Sequence, residues 1–148
     1  EEMILKVNAF IKKLQDYKDL GISKVIIEEP LLSSNNVHTV GTLMRYNAMI
    51  TKAIYDALGI VPNYISTYNS RKFAWPKLMS KNDKNRETLF GGYPKDVDKK
   101  QVIWDFVSKQ EPQIVWLYTK NMTLKKECFD QADAYTCVRG YMKINSFW

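Results

Sequence analysis

The sequence predicts an α/β fold in which helices alternate with the strands of one sheet. Several long stretches carry apolar residues at every third or fourth position, which is typical of helices with one buried face. Between them lie short runs rich in β-branched residues, which suit strands that are buried on both faces of a sheet. Because the elements follow the order helix, strand, helix, strand, helix, we expect the two strands to be parallel.

The first half of the chain supplies a helix, a strand and a second helix. Helical spacing in the opening segment is shown by Ile4, Val7, Ile11 and Leu14. Gly21 is expected to end this helix, since glycine is a common helix terminator. Residues 24–28, Lys-Val-Ile-Ile-Glu, form the first predicted strand, with Glu28 at its carboxyl end. A polar loop then leads into a helix over residues 37–58, and Gly59 stops it.

The second half begins with a strand predicted near residues 63–68. A long polar and basic stretch follows over residues 69–95, and we expect it to be an exposed insertion with few core positions. A helix begins near Asp98, and a last helix begins near Phe129. The residues predicted to face the core from these two helices are Val102, Ile103, Phe106, Val107, Ala134, Cys137, Val138 and Tyr141. Residues 113–118 are a possible further strand.

Composition limits the functions open to this chain. Its 148 residues, 45% of them hydrophobic, are enough for one domain with one core. The absence of an apolar run of about 18 residues and of a leader predicts a cytoplasmic protein without membrane contact. Lys and Arg outnumber Asp and Glu by 22 to 16, which favours a polyanionic partner, although many intracellular proteins are mildly basic without one. Cys128 and Cys137 lack zinc-site spacing and are expected to be reduced core thiols.

Three acidic residues are candidates for metal-dependent chemistry. Glu28 closes an apolar strand, while Asp130 and Asp133 share one face of the last helix. Clustered carboxylates repel one another unless cations lie between them, and two Mg²⁺ or Mn²⁺ ions about 3.5–4 Å apart support phosphodiester cleavage. The alternative is that Asp130 caps its helix, Asp133 faces solvent and Glu28 is an ordinary strand-end residue. Spacing alone favours this alternative.

The order of the motifs resembles the RuvC family of Holliday-junction resolvases over nearly the whole chain. The matching motifs are Val-Ile-Ile-Glu ending at Glu28, Lys-Lys-Gln-Val at 99–102 and Asp-Gln-Ala-Asp-Ala-Tyr at 130–135. The resemblance implies an RNase H-like fold with a central mixed sheet flanked by helices. It also implies a homodimeric endonuclease that nicks branched DNA, including four-way junctions, in the cytoplasm of a bacterial or phage-infected cell. Glu28, Asp130 and Asp133 would be its ligands for Mg²⁺ or Mn²⁺, two ions in all.

The same resemblance assigns roles to basic and apolar residues. Lys72 and Lys99 match the family's basic residues that assist at the scissile phosphate, and Leu31 matches a residue that probes the crossover. The residues expected to contact DNA are Leu31, Arg71, Lys72, Lys77, Lys81, Lys84, Arg86, Lys99 and Lys100. Tyr64, Tyr68, Phe73 and Trp75 interleave with two of these cations. This pattern suits stacking on unpaired bases at a branch point, and a core role for most of the rings is equally open.

Two departures from the family leave a rival function open. The family begins with a strand hairpin carrying an Asp-x-Gly motif, whereas this sequence begins at the following helix. We therefore expect an aspartate-bearing hairpin upstream of Glu1. The stretch at 69–95 is also longer than the family's loop. The rival is a non-catalytic RNase H-fold module that binds nucleic acid in a larger assembly. A metabolic α/β enzyme is disfavoured because the chain lacks a glycine-rich phosphate loop and a G-x-S-x-G motif.

Overall fold

The protein is a mixed α/β molecule, mostly helical, with a small parallel sheet. Its computed structural model describes residues 2–30, 36–76 and 98–147. The chain divides into two compact units, which we call the first unit (Glu1–Ser66) and the second unit (Thr67–Trp148). These findings confirm the α/β class, and the finer RNase H-like topology stays a prediction.

Short local signals define the helices and strands of the first unit. The elements are α1 (Glu2–Gln15), a 3₁₀ helix (Lys18–Leu20), β1 (Ile26–Glu28), α2 (Val37–Leu58) and β2 (Asn63–Ile65). The side-chain oxygen of Asn36 caps α2 by accepting a hydrogen bond from the Thr39 amide at 3.2 Å. Gly59 ends α2 in the left-handed conformation, with φ of 68°, and Gly21 has the same φ after the 3₁₀ helix. The predicted end of α2 at Gly59 is confirmed, whereas α1 ends at Gln15, before the predicted end at Gly21.

The two strands of the first unit are parallel, as predicted. Ile26 lies opposite Asn63, and Glu28 lies opposite Ile65. The pairing ends with a hydrogen bond from the Glu29 amide to the Ile65 carbonyl oxygen, at 2.9 Å. Each strand is shorter than the sequence suggested. Glu28 nevertheless stands at the carboxyl end of β1, the position expected of a functional residue in a parallel sheet.

The core of the first unit is aliphatic and lies mainly between α1 and α2. Its buried residues are Val7, Ile50, Ala53 and Ile54, with Phe10, Ile11 and Leu14 packed against them. In the amino-terminal half of α2, the apolar residues Leu43 and Met44 are exposed. Ile4, which was expected on the buried face of α1, is also exposed. Burial in α2 is confined to its carboxyl-terminal half.

In the second unit, residues 67–74 form a helix that the sequence reading missed. This helix, α3 (Thr67–Ala74), replaces both the end of the predicted strand and the start of the predicted exposed insertion. Small residues explain it: Ser70 and Ala74 are four positions apart on one helix face, and both are buried. A Cβ atom added at Gly140 would come within 2.5 Å of the Ser70 carbonyl oxygen, so the two backbones are in close contact.

Two longer helices complete the described part of the second unit: α4 (Lys99–Gln110) and α5 (Lys126–Ile144). Asp98 caps α4, and its Oδ1 accepts hydrogen bonds from the Lys100 amide at 2.9 Å and the Gln101 amide at 3.5 Å. The start of α4 and the burial of Ile103 and Val107 are confirmed. These two residues form a core cluster with Ala74, Trp75 and Ala132, against which Phe106 and Trp116 pack.

The buried face of α5 differs from the prediction. The helix begins at Lys126, one turn earlier than expected, and its buried residues are Cys128, Ala132, Thr136, Cys137 and Gly140. Ala134 and Val138, which were expected in the core, are exposed. Small residues at positions 132, 136 and 140 are spaced four apart, so they lie on one face of the helix. This face is buried against the neighbouring elements. Both cysteines are reduced and buried, as predicted.

Residues 113–118 do not form a regular strand. A single antiparallel bridge joins Tyr118 to Leu124. The Leu117 amide and carbonyl oxygen both lie 3.3 Å from Cys128 Sγ, so this loop is fastened to the start of α5. Among the described residues, none of the helices combines the length and apolar character needed to cross a membrane.

Candidate functional site

The candidate acid of the first unit, Glu28, stands on a hydrogen-bonded strand end. Its carbonyl oxygen accepts a hydrogen bond from Asn47 Nδ2 of α2 at 3.2 Å. The Asn47 carbonyl oxygen in turn accepts from Thr51 Oγ1 at 2.8 Å, and Thr51 Oγ1 is hydrogen-bonded to the Tyr64 hydroxyl. This chain of contacts joins both strands to α2. The side chains of Glu28 and Glu29 are both exposed.

The candidate acids of the second unit are each paired with a cation from another helix. Asp133 Oδ1 lies 3.4 Å from Arg71 Nη2, which reaches it from α3. Asp130 Oδ1 lies 3.4 Å from Lys100 Nζ, which reaches it from the first turn of α4. Three helices therefore contribute to one charged cluster, which we call the α5 charged cluster: Arg71, Lys100, Asp130 and Asp133.

This geometry corrects the alternative reading of the two aspartates. Asp130 does not cap α5, because the helix begins at Lys126, with Lys125 as its amino-terminal flanking residue. Asp133 is not simply solvated, since its side chain is 24% exposed and its partner Arg71 is 21% exposed. The pair formed by Asp130 and Lys100 is more open to solvent. Screening by water therefore weakens the second pair more than the first.

The interleaved aromatic residues divide into a core member and exposed members. Trp75 is 6% exposed. Its Nε1 donates to Thr136 Oγ1 at 3.0 Å, and the Arg139 guanidinium lies 4.6 Å from a ring centroid of the indole. Trp75 therefore has a core role. Tyr68 and Phe73 are exposed on α3.

The remaining candidate cations lie outside the α5 charged cluster or outside the described residues. Lys72 is exposed on α3, and Lys99 is the exposed first residue of α4. The residues Leu31, Lys77, Lys81, Lys84 and Arg86 lie outside the described residues. Of the basic residues expected at DNA, the structure therefore describes Arg71, Lys72, Lys99 and Lys100, all of them in the second unit.

The described acids do not by themselves form a metal centre. Across residues 2–30, 36–76 and 98–147, no three His, Cys, Asp or Glu side chains come together as a group able to hold a metal ion. Two-metal sites require several hard oxygen ligands that converge on the ions. The α5 charged cluster supplies two carboxylates, and each already has a cationic neighbour. The α5 charged cluster therefore supplies two of the three acids that the family resemblance implies as metal ligands.

Sequence reasoning missed the pairing of Arg71 with Asp133. Arg71 was expected to contact DNA, and nothing local connects it with an aspartate 62 positions further along the chain. It also missed a second polar contact on α5, in which the Tyr135 hydroxyl donates to Glu111 Oε1. This hydrogen bond lowers the pKa of Glu111, and burial together with the same bond raises the pKa of Tyr135.

Comparisons of the chain with protein-family models, curated proteins and solved structures found no match. The resemblance to the RuvC family therefore rests on the motifs at Glu28, at 99–102 and at 130–135.

Proposed function

We propose that this chain acts on branched DNA as a RuvC-like endonuclease, nicking four-way junctions in pairs as a homodimer with Mg²⁺ or Mn²⁺. One observation supports the proposal best: α3, α4 and α5 bring two carboxylates and two cations together in the α5 charged cluster. Enzymes that cleave phosphodiesters need both kinds of group, cations for the phosphate and acids for the metal. Spacing along the sequence predicted only the acids as a group.

The cluster has the charges to accept a phosphate. Arg71 carries a planar guanidinium, which binds phosphate through two parallel hydrogen bonds, and Lys100 adds a compact positive charge. The two ion pairs also reduce the repulsion that Asp130 and Asp133 would exert on DNA. Their separations of 3.4 Å are those of loose pairs, and the cations could move from the aspartates to a phosphate at small cost.

Within this proposal, Glu28, Asp130 and Asp133 are the candidate metal ligands. A bound metal pair would supply an activated water and charge stabilisation at the leaving oxygen. The family resemblance adds an aspartate of a strand hairpin as a further ligand.

The proposal is tested first by binding. We expect the chain to bind a four-way junction more tightly than linear duplex DNA of the same length, with affinity that falls steeply as salt rises. Changing Lys72 and Lys99 to Ala should weaken both complexes. Equal affinity for junction and duplex at moderate salt would contradict a preference for branched DNA.

Cleavage provides the second test and is measured on a four-way junction with Mg²⁺ or Mn²⁺. We expect Glu28→Gln and Asp133→Asn to abolish nicking while the junction is still bound, because each change removes ligand charge and leaves the basic residues in place. Glu29→Gln is the matched control, since the neighbouring side chain of a strand points to the opposite face. Normal cleavage by Glu28→Gln together with loss in Glu29→Gln would show that the ligand is Glu29.

The second candidate function is a non-catalytic nucleic-acid-binding module. It is favoured by the ion pairs themselves. Carboxylates that bind Arg71 and Lys100 can have a purely structural role, which is to hold α3 and α4 against α5. Junction binding without cleavage would support this module. Asp133→Asn would then lower stability and leave no catalytic defect to measure.

A further inference from the structure

The exposed face of α3 carries a lysine between two aromatic rings. Lys72 Nζ lies 5.8 Å from the ring centroid of Tyr68 and 5.7 Å from that of Phe73. Tyr68 is 53% exposed and Phe73 is 38% exposed. We call these three residues the α3 aromatic surface. Its neighbours Ser70 and Ala74 are the buried residues of the same helix, so core packing does not account for the exposed rings.

We propose that the α3 aromatic surface binds a dinucleotide step of unpaired DNA, with the phosphate at Lys72 and the flanking bases against Tyr68 and Phe73. This inference rests on the proposed function, because it takes branched DNA as the substrate. It adds the part of that substrate which the surface recognises, namely bases that have left the duplex at the branch point.

The chemistry of the surface favours unpaired bases over other partners. In a duplex, both faces of each base are covered by stacking, so exposed aromatic rings gain nothing from paired DNA beyond its phosphates. An unpaired base offers a free face to a ring, and stacking of this kind tolerates any sequence. An apolar peptide fits less well, because Lys72 lies between the rings and a second cation, Arg71, precedes it on the same helix. A cation within about 6 Å of two rings suits an anionic ligand that also carries flat apolar groups.

The test measures binding of the full chain to a fluorescein-labelled single-stranded oligothymidylate of about ten nucleotides. We expect Tyr68→Leu and Phe73→Leu each to weaken binding roughly tenfold, because leucine keeps apolar area and removes stacking. Tyr68→Phe should bind like the unchanged chain. Lys72→Gln should weaken binding and reduce the slope of log affinity against log salt by about 0.7, the value for one phosphate contact on a single strand. The ring variants should leave that slope unchanged.

Tyr55→Leu is the matched control, because Tyr55 is 55% exposed on α2 of the first unit and should have no effect on binding. Thermal unfolding of every variant ensures that the fold is retained. Failure of the oligothymidylate to bind the unchanged chain would overturn the inference. So would ring variants that bind as tightly as the unchanged chain, even if Lys72→Gln binds weakly, or ring variants that weaken binding to blunt duplex equally.

Failure of this inference and failure of the proposed function give different results. If the junction is not preferred over duplex and is not cut, while the ring variants still lose affinity for the single strand, the nuclease is wrong and the α3 aromatic surface stands. If the junction is preferred and cut equally well by the ring variants, the nuclease stands and this surface is wrong.

Discussion

The two units of this protein are stabilised by different kinds of contact. In the first unit, the aliphatic residues Val7, Ile50 and Ile54 pack between α1 and α2. Its described ion pairs join residues four apart on the same helix, Glu2 with Lys6 and Asp56 with Lys52. Such pairs support a single helix and do not hold two elements together.

In the second unit, polar contacts join different helices. The charged pairs run from α3 and α4 to α5, and the buried Trp75 indole donates to Thr136 of α5. Aromatic side chains pack against the core, with the rings of Trp104 and Trp116 in edge-to-face contact at 5.8 Å. Most described candidate site residues also lie here. Ion pairs of the second unit therefore join different helices, whereas the described ion pairs of the first unit lie within a single helix.

The largest expected effect comes from the aliphatic core of the first unit. Ile54 is 1% exposed, so Ile54→Ala should lower the free energy of unfolding by about 2–5 kcal/mol through lost burial and a residual cavity. Ile4→Ala is the control, because Ile4 is exposed, and it should change the free energy by less than about 0.5 kcal/mol. Urea unfolding measured by circular dichroism checks both. A single unfolding transition that shifts as a whole would support one domain. A shift confined to one of two transitions would show that the two units unfold independently.

A smaller effect on stability is expected when either of two helical glycines is changed to alanine, and its sign differs between the two positions. Gly140→Ala places a Cβ against the Ser70 backbone and should destabilise the second unit by about 1–3 kcal/mol. Gly41→Ala, in α2 of the first unit, meets nothing within 4 Å and should stabilise by about 0.5–1 kcal/mol, since alanine favours the helix. Melting temperatures of the two variants provide the measurement. Stabilisation by Gly140→Ala would show that α3 and α5 are not in close contact.

The ion pairs between helices should contribute less than either core. A double-mutant cycle with Arg71→Gln and Asp133→Asn should give a coupling free energy below about 1 kcal/mol, because the charges are partly solvated. The same cycle with Lys100→Gln and Asp130→Asn should give a smaller value, since that pair is more exposed. Raising the salt concentration should reduce both. A larger coupling free energy for the Lys100 pair than for the Arg71 pair would contradict the order expected from their burial.

The smallest expected effect is a pH dependence at the contact between Tyr135 and Glu111. The hydrogen bond from Tyr135 lowers the pKa of Glu111 from its ordinary value of 4.5. A lowered carboxyl pKa stabilises the fold above the unfolded value, and this contribution disappears as the pH falls through the folded value. The melting temperature of Tyr135→Phe should therefore lie slightly below that of the unchanged chain at neutral pH, and the difference should shrink as the pH falls below 4.5. A difference that grows with acid would exclude this contact.

The sequence by itself predicted the features that depend on neighbouring residues. Asn36 and Asp98 begin helices because their side chains accept hydrogen bonds from amides two or three residues ahead. Gly21 and Gly59 end helical segments because glycine adopts positive φ without strain. The parallel pairing of β1 with β2 also follows from local information, since the order of elements and the right-handed crossover rule leave few arrangements.

Tertiary structure decided the features that depend on residues far apart in the chain. Residues 67–74 lack the long apolar pattern that predicts a helix. They nevertheless form a helix, whose Ser70 backbone lies against Gly140 of α5. Trp75 is buried because Thr136 satisfies its N–H, which spacing along the chain cannot indicate. The same limit applied to Arg71 and Asp133, since the sequence identified each as a candidate and only folding paired them. Hydrogen bonds and charge pairs act over a few ångströms, so partners some sixty residues apart are chosen by packing and not by sequence pattern.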